Sequence, residues 1–317
     1  MKFIPYTLEW IGAMCDLWNK ELGKHFPMRE QLFRQNSFDD ENIFESGSWL
    51  VVQDEKLVGF IITKKWQEER VMRLGKDSGW IHALVVREDV RQQGIGGQLL
   101  VQAEEALKIA DCKHVFAGRD PWHYFPGVPH ELPDARTWFE HRGFEAVGAA
   151  YDLYAEVKEG AYPYPQYQEG AEARLLTMKD QAEMLRFFAR CFPDRWYYEA
   201  QCYWERGGQG REFIGLFAGD EMIGFCRVND DQSPMIAQNT YWAPLFLEPM
   251  GGIGPLGIDE RYRGKGYGLA IVQHGAAELA ARGMKHLVID WTGLVDFYAK
   301  IGFKPWKGYE MMSKTLT

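Results

Sequence analysis

Two short runs of the same kind carry the residues that could do chemistry, Arg91-Gln92-Gln93-Gly94-Ile95-Gly96 and Arg263-Gly264-Lys265-Gly266-Tyr267-Gly268. Both read R-x-x-G-x-G. Glycines at these places let consecutive backbone N–H groups face an anion with no side chain in the way, and a helix that begins there adds unpaired amides and its positive dipole end. Arg261, Arg263 and Lys265 add formal charge to the second loop, as Arg87 and Arg91 do beside Glu88 and Asp89 in the first. The chemistry implied is the grip of a phosphate or diphosphate. A solvated charged turn is the plainer alternative.

Each loop sits in matching surroundings. Trp80 to Val86 reads as a strand before the first; Gly252 to Ile258 precedes the second, where Pro255 and the glycines indicate a strand splayed from its neighbour. One-sided helices follow, with apolar residues at Leu99, Ala103, Ala106 and Leu107 and at Leu269, Val272, Ala276 and Leu279. Gly94 to His114 and Gly266 to His286 are both 20 positions, and each histidine opens a short apolar run. Each half then has a helix ending in Gly-Phe, at Gly143-Phe144 and Gly302-Phe303. Upstream, each half has two helical stretches and a hairpin. The pattern is one α+β unit used twice. It predicts a first domain over 1–158, a linker over 159–170 and a second domain over 171–317.

Composition agrees with this. A chain of 317 residues, 46% hydrophobic and 26% charged, can build two globular cores. A net charge of −9 argues against a nucleic-acid partner. No run resembles a signal peptide or a membrane span, and the odd count of five cysteines lacks C-x-x-C spacing, which points to a reducing compartment and a cytoplasmic location. The first half carries 13 extra residues between its histidine and its Gly-Phe, falling within Arg119 to His130. His123 and His130 in that segment lack the carboxylate or cysteine spacing of a metal site, so no metal is expected.

The order helix, helix, hairpin, strand, glycine loop, helix, strand, helix, Gly-Phe and terminal hairpin resembles the GNAT superfamily of acyl-CoA-dependent N-acyltransferases, in tandem over nearly the whole chain. The resemblance implies a three-layer α/β/α fold with mixed central sheets in each domain. It implies acetyl-CoA as cosubstrate, bound by Leu256, Gly257 and Ile258 with Arg263, Gly264, Lys265, Gly266, Tyr267 and Gly268. The corresponding first-half residues are Val85, Val86, Arg91, Gln92, Gln93, Gly94, Ile95, Gly96 and Gly97. The family's reaction is attack of a neutral amine on a thioester, which needs a base for the amine and an acid for the departing sulfur. The family's frequent acid is a tyrosine four residues before the Gly-Phe glycine. Tyr298 holds that place.

The first half has Phe139 at the same offset, which has no proton to give. Asp290, at the end of the run Leu287-Val288-Ile289, is the base candidate; its counterpart by register is Gly118. An N-cap or turn role for Asp290 stays open, and Asp296 and Glu248 are carboxylates less well placed. The first half therefore reads as a partner domain that keeps its glycine loop and has lost its chemistry. Asp290-Trp291-Thr292 with Phe297-Tyr298 is similar to the second domain of bacterial glucosamine or glucosaminide N-acetyltransferases. A mycothiol-synthase-like acetyltransferase and a non-catalytic acetyl-CoA-sensing module are the alternatives. The expected partner is a small-molecule amine, with no membrane, and the chain a monomer or homodimer.

Overall fold

Phe60 and Ile61 are neighbours on one strand and both are fully buried, so their sheet must be covered on both faces. Phe225 and Cys226 make the same demand in the second repeat. The computed structural model describes residues 1–70, 75, 77–168 and 170–316, so Glu169 of the expected linker and Thr317 lie outside the described residues. It shows how both sheets are covered.

In the first repeat the elements are β1 (Lys2–Pro5), α1 (Ile11–Leu22), α2 (Glu30–Ser37), β2 (Trp49–Gln53), β3 (Lys56–Lys65), β4 (Ser78–Val86), α3 (Ile95–Ile109), β5 (His114–Ala117), β6 (Val128–Pro129), α4 (Pro133–Glu140) and β7 (Glu145–Glu156). β1 to β4 pair antiparallel in sequence order, and β4 pairs parallel with β5. Leu99, Leu100, Ala103 and Leu107 of α3 and Phe139 of α4 pack on the face bearing Ile61, Ile81 and Val115. The opposite face belongs to α1 and α2, where Phe33 meets Phe60 edge-on at 6.1 Å.

The second repeat runs β8 (Ala171–Leu175), α5 (Gln181–Cys191), α6 (Arg195–Glu205), β9 (Phe213–Ala218), β10 (Glu221–Asn229), β11 (Met250–Ile258), α7 (Tyr267–Ala281), β12 (His286–Thr292), α8 (Val295–Ala299) and β13 (Lys304–Thr315). β8 to β11 are antiparallel neighbours and β11 pairs parallel with β12. α7 and Tyr298 of α8 pack on Leu216, Cys226 and Ile253. α5 and α6 cover Phe213 and Phe225. Each repeat is thus a mixed sheet between two helical layers, the expected three-layer architecture.

One expectation needs correction. In place of a terminal hairpin, each Gly-Phe is followed by a single 12-residue strand, β7 or β13. The compact units are Met1–Ala150 with Lys307–Thr317, and Tyr151–Trp306. Leu153 and Ala155 of β7 register with Ile289 and Leu287 in the second unit, while Ser313 of β13 registers with Phe116 in the first. The units therefore depart from chain order, whereas the expected boundaries follow it. Side-chain alternation sets which face of a strand is buried; it leaves open which edge the strand pairs with. Among the described residues no helix is long and apolar enough to cross a membrane, and no group of three or more His, Cys, Asp or Glu could hold a metal.

Gly127 lies where β13 passes through the first unit, and a Cβ there would overlap the Glu310 carbonyl oxygen. Gly127→Ala should lower the unfolding free energy by about 2–3 kcal/mol. Gly12→Ala, whose Cβ on α1 would meet no atom within 4 Å, should raise it by about 0.5–1 kcal/mol. Urea denaturation compares the two, and equal midpoints would contradict this packing of β13.

Candidate active site

β11 and β12 share backbone register only over Met250–Gly252 with His286–Val288, yet β11 continues to Ile258 and β12 to Thr292. Beyond Val288 the strands part. On the other side of β11 the register with β10 shifts between Cys226 and Val228, leaving Gly254 and Pro255 out of that ladder. These two departures open a cleft of about 830 Å³, walled by the ends of β11 and β12, the start of α7, α8 and one face of α6.

The glycine loop forms one end of the cleft. Gly264 and Gly266 have φ of 78° and 82°, left-handed values that favour glycine, and at either position an added Cβ would meet nothing within 4 Å. Gly266 caps the 15-residue α7, whose first N–H groups have no intrahelical partner. Gly264, Gly266, Tyr267 and Gly268 border the cleft with Leu256, Gly257, Ile258 and Arg263. Arg263 is fixed by a hydrogen bond from Nε to the Ile258 carbonyl at 3.1 Å. Lys265 is outside the lining, its Nζ 5.3 Å above the Tyr262 ring. Arg261 also departs from the expected cradle. It is committed to Asp259, at 2.8 Å, and to Glu221, because two carboxylates nearby satisfy its fork better than an open loop does.

The other end holds the titratable groups. Asp290 lies on β12 beyond Val288, the last residue paired with β11, and in the break of the β7 ladder between Ile289 and Thr292, so it is neither a helix cap nor part of a turn. Burial, with the Glu199 charge beside it, pushes its carboxyl up to about 6, against opposing pulls from Arg195 and a hydrogen bond with Asn239. Tyr298 is 6% exposed. Burial pushes its phenol above the usual tyrosine range, with the nearby Cys226 and Asp290 adding to the shift and a hydrogen bond with Thr292 opposing it, so it stays protonated. Asn239 donates from Nδ2 to the Gly254 carbonyl at 3.1 Å and accepts from Asn229 at 3.1 Å. A side chain at position 254 would begin 3.8 Å from Asp290 Oδ1. Glycine there keeps the carboxyl's approach clear.

Sequence reasoning missed Arg195 and Glu199 in this wall. Arg195 donates from Nε to Glu199 Oε1 at 2.6 Å and holds its guanidinium 4.5 Å from the Trp291 ring centre. Both residues line the cleft beside Trp196 and Gln238. A signal existed: Glu199 sits among Tyr198, Ala200 and Cys202 on the buried side of α6, where a carboxylate is out of place unless paired. The segment between β10 and β11 supplies Gln238 to the wall, and Asn239 to Asp290 and the Gly254 carbonyl. Of the α6 aromatics, Tyr203 and Trp204 belong to the core with Phe213. Glu248 lies 3.9 Å from His286, and neither Glu248 nor Asp296 borders the cleft.

The first unit has a comparable cleft of about 890 Å³, bordered by Val85, Val86, Arg91, Gln92, Gly94, Ile95, Gly96 and Gly97, with Gln93 outside its lining. Gly94 caps α3 with φ 84°. Arg91 is tied to Glu21 at 2.5 Å and to the Val86 carbonyl at 3.0 Å. Asp120 to Tyr124 of the extra segment are buried: Tyr124 Oη lies 2.7 Å from Ser37 Oγ, and His123 Nδ1 is 2.9 Å from the Asp120 carbonyl.

One cleft of the second unit therefore joins an amide-lined, positively flanked end, suited to a diphosphate, to an end with a carboxyl that ionises near neutrality and a protonated phenol. Such an arrangement can take a proton at one atom and supply one at another. The sequence profile of the acetyltransferase (GNAT) family matches residues 11–125 and 177–303. A mycothiol acetyltransferase of Geodermatophilus obscurus is 25% identical over 242 residues, 69% of each chain. A glucosamine N-acetyltransferase region of a fungal multi-domain β-N-acetylglucosaminidase superposes with TM-score 0.86 at 23% identity; the match covers 98% of this chain and 38% of that one, so the chain spans well under half of that protein. A tandem GNAT protein of the clavulanic acid biosynthesis pathway superposes with TM-score 0.71 at 14% identity over 100% of this chain and 98% of its own. With the family profile matched in both repeats, the chain belongs to the GNAT acetyltransferase family.

Proposed function

We propose that the second unit is an acetyl-CoA-dependent N-acetyltransferase for the primary amine of a small molecule, an amino sugar such as glucosamine, and that the first unit keeps a cofactor cleft without this amine chemistry. The observation that carries the reading is the single cleft with the Gly264–Gly268 loop at one end and Asp290 and Tyr298 at the other. The open Cβ positions at Gly264 and Gly266 and the fixed Arg263 fit a diphosphate. When bound, acetyl-CoA supplies a thioester as the acyl donor. Leu256, Gly257 and Ile258 border its path, and backbone N–H groups there polarise a carbonyl oxygen. Asp290, as carboxylate, takes a proton from the acceptor's ammonium group, directly or through water. Tyr298 supplies the proton to the departing sulfur.

An amino sugar is favoured by the fungal glucosamine N-acetyltransferase region and by a wall of Trp196, Trp291 and Gln238, which offers ring faces and an amide to a polyhydroxylated acceptor. The Geodermatophilus relative favours a mycothiol-type acceptor as a second reading. The free cysteines fit a reducing, cytoplasmic setting. A thiol-release assay with acetyl-CoA against amino sugars, polyamines, amino acids and aminoglycosides tests the assignment; thiol release with none of these amines would contradict it.

Tyr298→Phe should reduce kcat about 10²–10³-fold with acetyl-CoA affinity nearly unchanged. An unaltered kcat would remove the phenol from the mechanism. Because the Asp290 carboxyl is raised to about 6, its basic form is lost as pH falls through that value, so kcat/KM should drop about tenfold per pH unit below it. Asp290→Asn should flatten that limb. Gly266→Asp sets bulk and negative charge against the loop, and calorimetry should show acetyl-CoA binding to the second unit weakened at least about tenfold.

A further inference from the structure

The two repeats share one register, in which Arg91 answers to Arg263, Gly94 to Gly266 and Gly118 to Asp290. In it His82 answers to Gly254. The β3–β4 ladder shifts between Ile62 and Thr63, leaving His82 out of register just as Gly254 is left out in the second unit. Where the second unit leaves space in front of a carboxyl, the first carries an imidazole.

That imidazole is held on one side only. His82 Nδ1 is 3.0 Å from Asp120 Oδ2, Asp120 Oδ1 is 2.7 Å from Lys64 Nζ, and Lys64 is 2.7 Å from Asp40, with side chains at most 2% exposed throughout. Lys64 holds Asp120 as an ionised carboxylate, which fixes the ring proton on Nδ1. Burial holds the ring neutral, so Nε2 carries a lone pair. Nε2 is buried and has no hydrogen-bond partner, a state that calls for an occupant.

His82 borders a cavity of about 90 Å³. Leu22, Leu84, Val85, Leu132, Ala135 and Phe139 line both this cavity and the 890 Å³ cleft that contains the first glycine loop. The small chamber is the inner continuation of the larger cleft. It has room for water, at roughly 30 Å³ per molecule, and none for a sugar.

We propose that the first unit holds a second reaction centre, in which His82, oriented by Asp120, activates water to hydrolyse an acyl-CoA thioester bound in that unit's own cleft. The inference rests on the reading that this cleft takes acyl-CoA. The water oxygen bonds to the thioester carbonyl carbon while a water proton passes to His82 Nε2. The carbon–sulfur bond breaks, and the imidazolium returns that proton to the sulfur, giving a carboxylic acid and the CoA thiol with no change of oxidation state. A separate acid is dispensable, so Phe139 at the place of Tyr298 is no obstacle. Asp120 is a positioning residue.

The test uses the full chain carrying Asp290→Asn and Tyr298→Phe, with acetyl-CoA and no amine, following thiol release and acetate by NMR. Acetate and thiol should appear in equal amounts, fall at least about 100-fold with His82→Gln and at least about tenfold with Asp120→Asn, and persist with Gly266→Asp. Ala135→Leu narrows the passage without touching the buried charges and should lower the rate as well, which separates access from misfolding. Nitrogen NMR of the imidazoles should show His82 protonated at Nδ1 and bare at Nε2. Three results overturn the proposal: acetate formation no faster than in buffer, a rate indifferent to His82→Gln, or a proton on Nε2. Calorimetry on the Gly266→Asp chain locates the failure, since one bound acetyl-CoA without acetate formation defeats the hydrolysis alone, whereas no binding defeats the cofactor reading beneath it.

Discussion

The site of the second unit depends on two parallel strands that cannot stay paired. β11 and β12 hold register for three residues and then separate, and the separation turns the ends of both strands into walls of a cleft. Several local features serve this geometry. Gly254 stands outside the β10–β11 ladder, and Asn239 satisfies its carbonyl, as a buried acceptor without a strand partner requires. The same divergence places Asp290 beyond the last β11 pair, where a desolvated carboxyl next to Glu199 is raised to about 6.

The first unit shows that the scaffold does not dictate the side chains in its cleft. It has the same layers, a left-handed glycine at the head of the equivalent helix and a cleft of similar volume. The chemistry-bearing positions differ: Gly118 for Asp290 and His82 for Gly254 by register, and Phe139 for Tyr298 by its offset from the Gly-Phe glycine. Removing a carboxyl and a phenol deletes the proposed proton donor and acceptor. Putting an imidazole in the emptied space required a buried network of Lys64, Asp40 and Asp120. Two carboxylates and an ammonium out of water are tolerable only when mutually paired.

Charge placement follows the same logic. Arg261 is spoken for by Asp259 and Glu221, while Arg263 is braced on a backbone carbonyl at the cleft. A guanidinium held by two carboxylates has little field left for a ligand. The helix amides and Arg263 therefore carry the positive end of the cleft. On the opposite wall the Arg195–Glu199 pair against Trp291 sets a charged couple beside the Asp290 end of the cleft.

The sequence by itself determined the repeated unit, its helices and hairpins, and both glycine loops, because periodicity, capping and left-handed turns are local properties of a few consecutive residues. Tyr298 came from the resemblance, which places the family's frequent acid four residues before the Gly-Phe glycine, here Gly302. Asp290 emerged from the position of an apolar run. What only the tertiary structure decided were contacts between distant segments. The assignment of β7 and β13 to their units depends on which strand edge remains open, and alternation along a strand is silent on that. The partners of Arg261, the place of Glu199 in the cleft wall, the hold of Asn239 on Gly254, and the meeting of His82 with Asp120 across 38 positions follow from how those edges and faces pack.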